Sequence, residues 1–145
     1  MFVVDTNLLV YAANRRELEY RKARDFLEAC RSGHKSWAAT WSIFYEFLRV
    51  ATHAGILPQP LNLNDAWSFL QALLDSPFFH VLGETERHGD VVRDLARRFP
   101  TVHGNDVHDL HIVAVMVEHG VREIRTADAG FHRFKFLNVM DPLAP

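Results

Sequence analysis

The chain has a single cysteine, Cys30, among 145 residues, so no internal disulfide can form. That agrees with a reducing compartment, and the helical setting of Cys30 points to packing rather than to a reactive thiolate. Long apolar runs are also missing: the longest, residues 112–117, is far too short to span a bilayer. Positive charge is not in excess, since 16 Lys and Arg stand against 18 Asp and Glu for a formal net charge of −2. The chain as a whole therefore lacks the basic character of a general nucleic-acid binder, and any RNA must be gripped locally. There is no repeat, no low-complexity tract and no zinc signature. The residues after Met1 lack the pattern of a signal peptide, so a cytoplasmic protein without membrane attachment is expected. The one Pro-containing break, Ile56-Leu57-Pro58-Gln59-Pro60, reads as an internal loop, and residues 1–145 read as one domain.

What is present is an alternation of two periodicities. Residues 2–5, 35–40, 78–82, 121–126 and 136–140 read as five short strands. Between them lie helical patterns over 7–13, 17–31, 42–53, 86–99 and 106–119, the last stopped by Gly120 at a C′ position. A further helix follows Asn64 as N-cap, with Trp67, Leu70, Leu73 and Leu74 as its apolar stripe, and closes at Ser76-Pro77. Strands alternating with helices predict an α/β domain whose parallel sheet is covered on both faces. Ligands of such sheets gather beyond the carboxyl ends of the strands, above all where the strand order reverses.

The acidic residues fall at such places. Asp5 ends the first strand and Asp128 follows the fourth, although each could serve merely as an N-cap. Glu46 lies among Ile43, Phe44, Phe47 and Leu48, close to an apolar stripe, where a carboxylate needs a partner. Asp109 sits one turn into its helix ahead of Leu110, Ile112, Val113 and Met116, with Asp106 before it as a candidate N-cap. Ionised carboxylates gathered within about 5 Å repel by about 3 kcal/mol per pair at an effective dielectric near 20. Hard divalent ions relieve that repulsion, and all-oxygen ligands suit Mg²⁺, with Mn²⁺ as a substitute. The matching chemistry is hydrolysis at phosphorus without a covalent intermediate, with Asp5 best placed to bridge ions or orient water.

Three histidines offer a rival. His108 and His111 stand i, i+3 on one helix, with His103 just before, and could hold a metal or cleave RNA by metal-free acid–base chemistry. Phosphoryl transfer through an aspartyl intermediate at Asp5 would need a second Asp at position 7, where the chain has Asn7. Basic clusters at Arg15-Arg16, Arg21-Lys22-Arg24 and Arg93/Arg97-Arg98 are candidate RNA contacts, with solvated helix faces the simpler reading. Phe131, Phe134 and Phe136 read as core, not as base-stacking residues.

Several segments taken together resemble the PIN-domain nucleases, and within them the VapC-type toxins of bacterial toxin–antitoxin pairs. They are Val4-Asp5-Thr6-Asn7, Tyr45-Glu46-Phe47-Leu48-Arg49, the run from Gly104 to Ile112, Glu118-His119-Gly120, and the run from Thr126 to Phe134. The resemblance covers essentially the whole chain, with order and spacing kept. It implies a five-stranded parallel sheet with Asp5, Glu46, Asp109 and Asp128 converging, and Asp5 and Asp109 as the principal Mg²⁺ ligands. It implies support from Thr6 and Asn7, with Asp106 as an additional acid near the third position. It further implies a metal-dependent endoribonuclease, neutralised by a small cognate antitoxin and assembled as a homodimer. The non-enzymatic alternative is a nuclease-like fold kept only to bind a partner.

Overall fold

The computed structural model describes residues 1–145. Its elements run β1 (Phe2–Val4), α1 (Thr6–Ala13), α2 (Tyr20–Ser32), β2 (Trp37–Thr40), α3 (Trp41–Ala51) and α4 (Leu63–Leu74). They continue with β3 (Phe79–Leu82), α5 (His88–Arg98), α6 (Asp106–Glu118), β4 (Glu123–Arg125) and β5 (Asn138–Met140). All five strands pair in parallel in the order β3-β2-β1-β4-β5. The α/β architecture expected from the sequence is the one observed.

The order reverses direction at β1. From β1 the chain steps outward to β2 and β3, then returns across the sheet to β4 and β5 on the other side. Right-handed crossovers in opposite directions put their helices on opposite faces. Central strands then have no solvated side: every residue of β1 and β2 is buried, whereas the edge strand β5 is half open. Phe-Val-Val and Trp-Ala-Ala-Thr answer that demand, with Ala38 and Ala39 leaving room for helices to approach.

Helix α3 starts where Thr40 Oγ1 accepts from the Ile43 amide at 3.2 Å, and it buries Ile43, Phe44, Phe47 and Ala51 against the sheet. Helix α6 is buried nearly all round through Ile112, Val113, Ala114, Val115 and Met116. It ends at Gly120, whose φ of +68° is the left-handed conformation a C′ glycine supplies.

Three local expectations need correction. The N-cap of α4 is Asn62, not Asn64: Asn62 Oδ1 accepts from the Asp65 amide at 2.8 Å, and Asn64 is already helical. Its buried face is Ala66, Leu70 and Leu73, while Trp67 is 37% exposed. The last strand starts at Asn138, because 129–133 form a 3₁₀ turn that folds Phe131 and Phe134 into the core first. Those two phenylalanines are packing residues, as their pattern suggested; Phe136 joins them against Phe99.

Candidate active site

Asp5 and Asp128 follow the two strands that flank the reversal, β1 and β4. The Asp5 amide extends the ladder by donating to the Arg125 carbonyl at 3.0 Å. Asp5 is also the N-cap of α1, its Oδ1 accepting from the Thr6 amide at 2.7 Å, so capping and site placement coincide in one residue. Its Oδ2 accepts from Thr126 Oγ1 at 2.7 Å and from Asn7 Nδ2 at 2.9 Å. Asn7 Nδ2 also reaches Thr126 Oγ1 at 3.0 Å, and Asn7 Oδ1 accepts from the Ala127 amide at 3.2 Å. Thr126 Oγ1 in turn accepts from the Asp128 amide at 2.9 Å. Asn7 and Thr126 thus lace the ends of β1 and β4 together and hold Asp5 and Asp128 in one frame. Thr6 has a weaker part, its hydroxyl only 3.5 Å from the Ile43 carbonyl. Sequence pattern alone gives Thr126 no role; a hydroxyl between a strand and an acid is the one signal it offers.

Asp5, Asp109, Asp128 and Glu46 all line one open cleft of about 1040 Å³, together with Thr6, Asn7, Ser42, Asn105 and His108. The electrostatics set Asp109 and Asp5 apart from Glu46. Asp109 is pushed up to about 7 by burial first, then by the charges of Asp128 and Asp5. Asp5 is raised by burial, with Asp128 adding to it, against the lowering effect of its Thr126, Thr6 and Asn7 donors. The helix N-terminus beside Asp109, worth about 0.3–1 kcal/mol, does not offset this. Glu46 behaves oppositely: Arg49 holds it below the usual carboxylate range through contacts of 2.7 and 3.1 Å. Glu46 faces the cleft as an ion pair, and its side chain is 44% exposed rather than set into the apolar stripe.

Asp106 does not join them. It is the first residue of α6 without a capping bond, and its carboxylate takes Arg133 Nη1 at 2.6 Å. It acts on the cleft only at a distance, adding a small upward push on Asp109. The histidine trio is dispersed: His108 lines the cleft, His103 contacts the Thr101 carbonyl, and His111 pairs with Glu84. None of the three arginine-rich clusters lines the cleft. Arg93 and Arg98 are tied to Asp90 and Asp94 on their own helix, leaving Arg49 as the cationic side chain at the cleft wall.

The strand order sets this chain among α/β domains whose ligand chemistry gathers at the switch point, where these acids stand. A family model of the PIN domain matches residues 2–137, and the chain belongs to that family. It is 34% identical over 143 residues to the ribonuclease VapC43 of Mycobacterium tuberculosis, covering 99% of this chain and 96% of that protein. It is 31% identical to the ribonuclease VapC33 of the same organism, covering 99% of each. Among solved structures, VapC20 of M. tuberculosis, described as a sarcin-ricin loop cleaving toxin, superposes with a TM-score of 0.68. That match has 16% identity and covers 96% of this chain and 98% of the other. VapBC-1 of nontypeable Haemophilus influenzae gives 0.68 at 17% identity, covering 99% and 98%. No helix of the chain is long and apolar enough to cross a membrane.

Proposed function

We propose that this chain is an endoribonuclease of the VapC toxin class that hydrolyses RNA phosphodiester bonds with a divalent ion held by Asp5, Asp109 and Asp128. The observation that carries this reading is the convergence of Asp5, Asp109, Asp128 and Glu46 on one cleft, where burial and two neighbouring carboxylates push Asp109 up to about 7. Burial and the charges of Asp128 and Asp5 make it costly for Asp109 to stay ionised there, and a hard cation removes that cost. The donors are all oxygen, which fits Mg²⁺ or Mn²⁺. When bound, such an ion supplies positive charge against the scissile phosphate and acidifies water.

The chain's own residues do the positioning. Asn7 and Thr126 fix the Asp5 carboxylate by two hydrogen bonds to one oxygen, so the acid does not have to be ordered when substrate arrives. Asp128, capping the 3₁₀ turn through the Gly130 amide at 2.7 Å, enters from the β4 side. Glu46 joins when Arg49 lets go, and an RNA phosphate at the cleft wall is the natural competitor for that guanidinium. His108 lines the same cleft beside these acids.

Purified protein should cut structured RNA in Mn²⁺ and stop in excess EDTA, with activity returning on Mg²⁺ addition. Cutting that persists in EDTA would sink the metal reading and point to histidine chemistry. Metal binding without any cutting would favour a partner-binding role instead.

The toxin class carries two further expectations, a small antitoxin and a homodimer. An apolar groove of about 530 Å³ lined by Trp41, Leu48, Leu63 and Trp67 adjoins the cleft through Tyr45 and Arg49. An antitoxin reaching the cleft would meet this groove. Co-purification with the product of a small neighbouring gene, and light scattering of the chain alone, test the two assemblies.

A further inference from the structure

Away from the cleft, Glu84 in the loop after β3, His88 at the start of α5 and His111 on α6 bring three ligand atoms within 4.8 Å of one another. His111 Nε2 is 2.6 Å from Glu84 Oε1, and the His88 and His111 rings meet edge-on with centroids 5.5 Å apart. Behind them stands Glu118, whose side chain has no exposed surface. Its Oε2 faces His88 Nδ1 at 2.6 Å, and its Oε1 accepts from the Thr85 amide and hydroxyl, both at 2.7 Å. Burial pulls the Glu118 carboxyl upward, but the His88 and Thr85 donors outweigh it, so the acid is held ionised.

With Nδ1 turned to the Glu118 carboxylate, Nε2 is the His88 atom left to face an ion. A carboxylate–histidine pair of this kind is how proteins orient a metal-binding imidazole and raise its basicity.

We propose that Glu84, His88 and His111 form a second cation site of the Zn²⁺ class, oriented by Glu118, that clamps the start of α5 to α6. Two imidazoles and one carboxylate are the donors Zn²⁺ prefers, whereas the all-oxygen cleft suits harder ions. Ligands at about 2.0 Å in a tetrahedron sit about 3.3 Å apart. Entry of the ion therefore pushes Glu84 back from His111, which its exposed loop position allows, and draws His88 in. Water takes the fourth position. Because His111 lies two residues after Asp109 on α6, the clamp steadies the helix that delivers Asp109 to the cleft. The site stands whether or not the cleft cuts RNA.

The test uses tag-free full-length protein, stripped of metal and kept in excess Mg²⁺ to fill the acidic cleft. Calorimetry should find one Zn²⁺ per chain, and Co²⁺ should give the visible bands of a tetrahedral nitrogen–oxygen site, displaced by Zn²⁺. Glu118→Gln should weaken Zn²⁺ binding about 10–100-fold. The pair His88→Gln with His111→Gln should abolish it, and Asp5→Asn should leave it unchanged. No Zn²⁺ uptake in excess Mg²⁺, an octahedral Co²⁺ spectrum, or binding that survives the double histidine variant would overturn the site. Loss of binding in Asp5→Asn would likewise assign the ion to the cleft. The Co²⁺ spectrum of the unmutated chain decides the matter even if a variant misfolds.

Discussion

Asp109 holds a charge under protest, and its removal should separate function from stability. With its carboxyl at about 7, ionisation near neutrality works against the fold. After allowance for the half-open setting, Asp109→Asn should stabilise the metal-free protein at pH 8 by about 1–2 kcal/mol while abolishing RNA cleavage. Urea midpoints and a gel assay read the two effects; destabilisation by this variant would mean that the neighbouring acids are not in conflict. Thr126 works the other way. It is 1% exposed and its hydroxyl binds Asp5, Asn7 and the Asp128 amide at once. Thr126→Val should cost about 1–3 kcal/mol through unpaired buried groups and lower kcat more than KM, because Asp5 loses its fixed orientation. An unchanged kcat would assign Thr126 a purely structural part.

The elements place these residues by their ends, not their middles. β1 and β4 deliver acids just past their last ladder bonds, and α6 delivers Asp109 just before it sinks into the core. Helix α3 carries both jobs on one turn spacing, with Phe44 and Phe47 inward and Glu46 and Arg49 on the open side. Phe44 is fully buried, so Phe44→Ala should cost about 3–5 kcal/mol and disturb the cleft wall with it. At α4 the caps can be told apart directly. Asn62→Ala should cost about 1 kcal/mol, whereas Asn64→Ala should be close to neutral, as chemical denaturation can show.

For the whole molecule, the pKa shifts oppose one another across pH. Asp5 and Asp109 are raised, so the metal-free fold binds more protons than the unfolded chain, and stability falls as pH rises through about 7. Glu46, Glu84, Glu118, Glu123 and Asp106 are lowered, so their contribution is lost as pH falls through the acid range. Metal-free protein should therefore be most stable on the mildly acidic side. Saturating Mg²⁺ should remove the decline towards pH 8 and release protons on binding below about 7. Denaturation midpoints from pH 5 to 8, with Mg²⁺ and with EDTA, check both; a decline that Mg²⁺ leaves untouched would place the conflict elsewhere.

The order of elements and the parallel sheet were legible in the chain itself, and the resemblance to PIN-domain nucleases implied the convergence of Asp5, Glu46, Asp109 and Asp128, which line one cleft. Periodicity reports which side of a segment is buried, and an acid after a short apolar strand marks the sheet edge where ligands collect. Contacts between remote segments were not legible. The apolar run after Asp109 set it apart from Asp106, but nothing local gave Asp106 to Arg133, left Asp109 with Asp5 and Asp128, or paired His111 with Glu84 instead of His108. Spacing fixes direction along one helix, whereas the reversal of strand order at β1 brings residues 5, 109 and 128 to one place. Which charges become neighbours, and so which carboxyl is driven up to about 7, is settled only when the sheet closes.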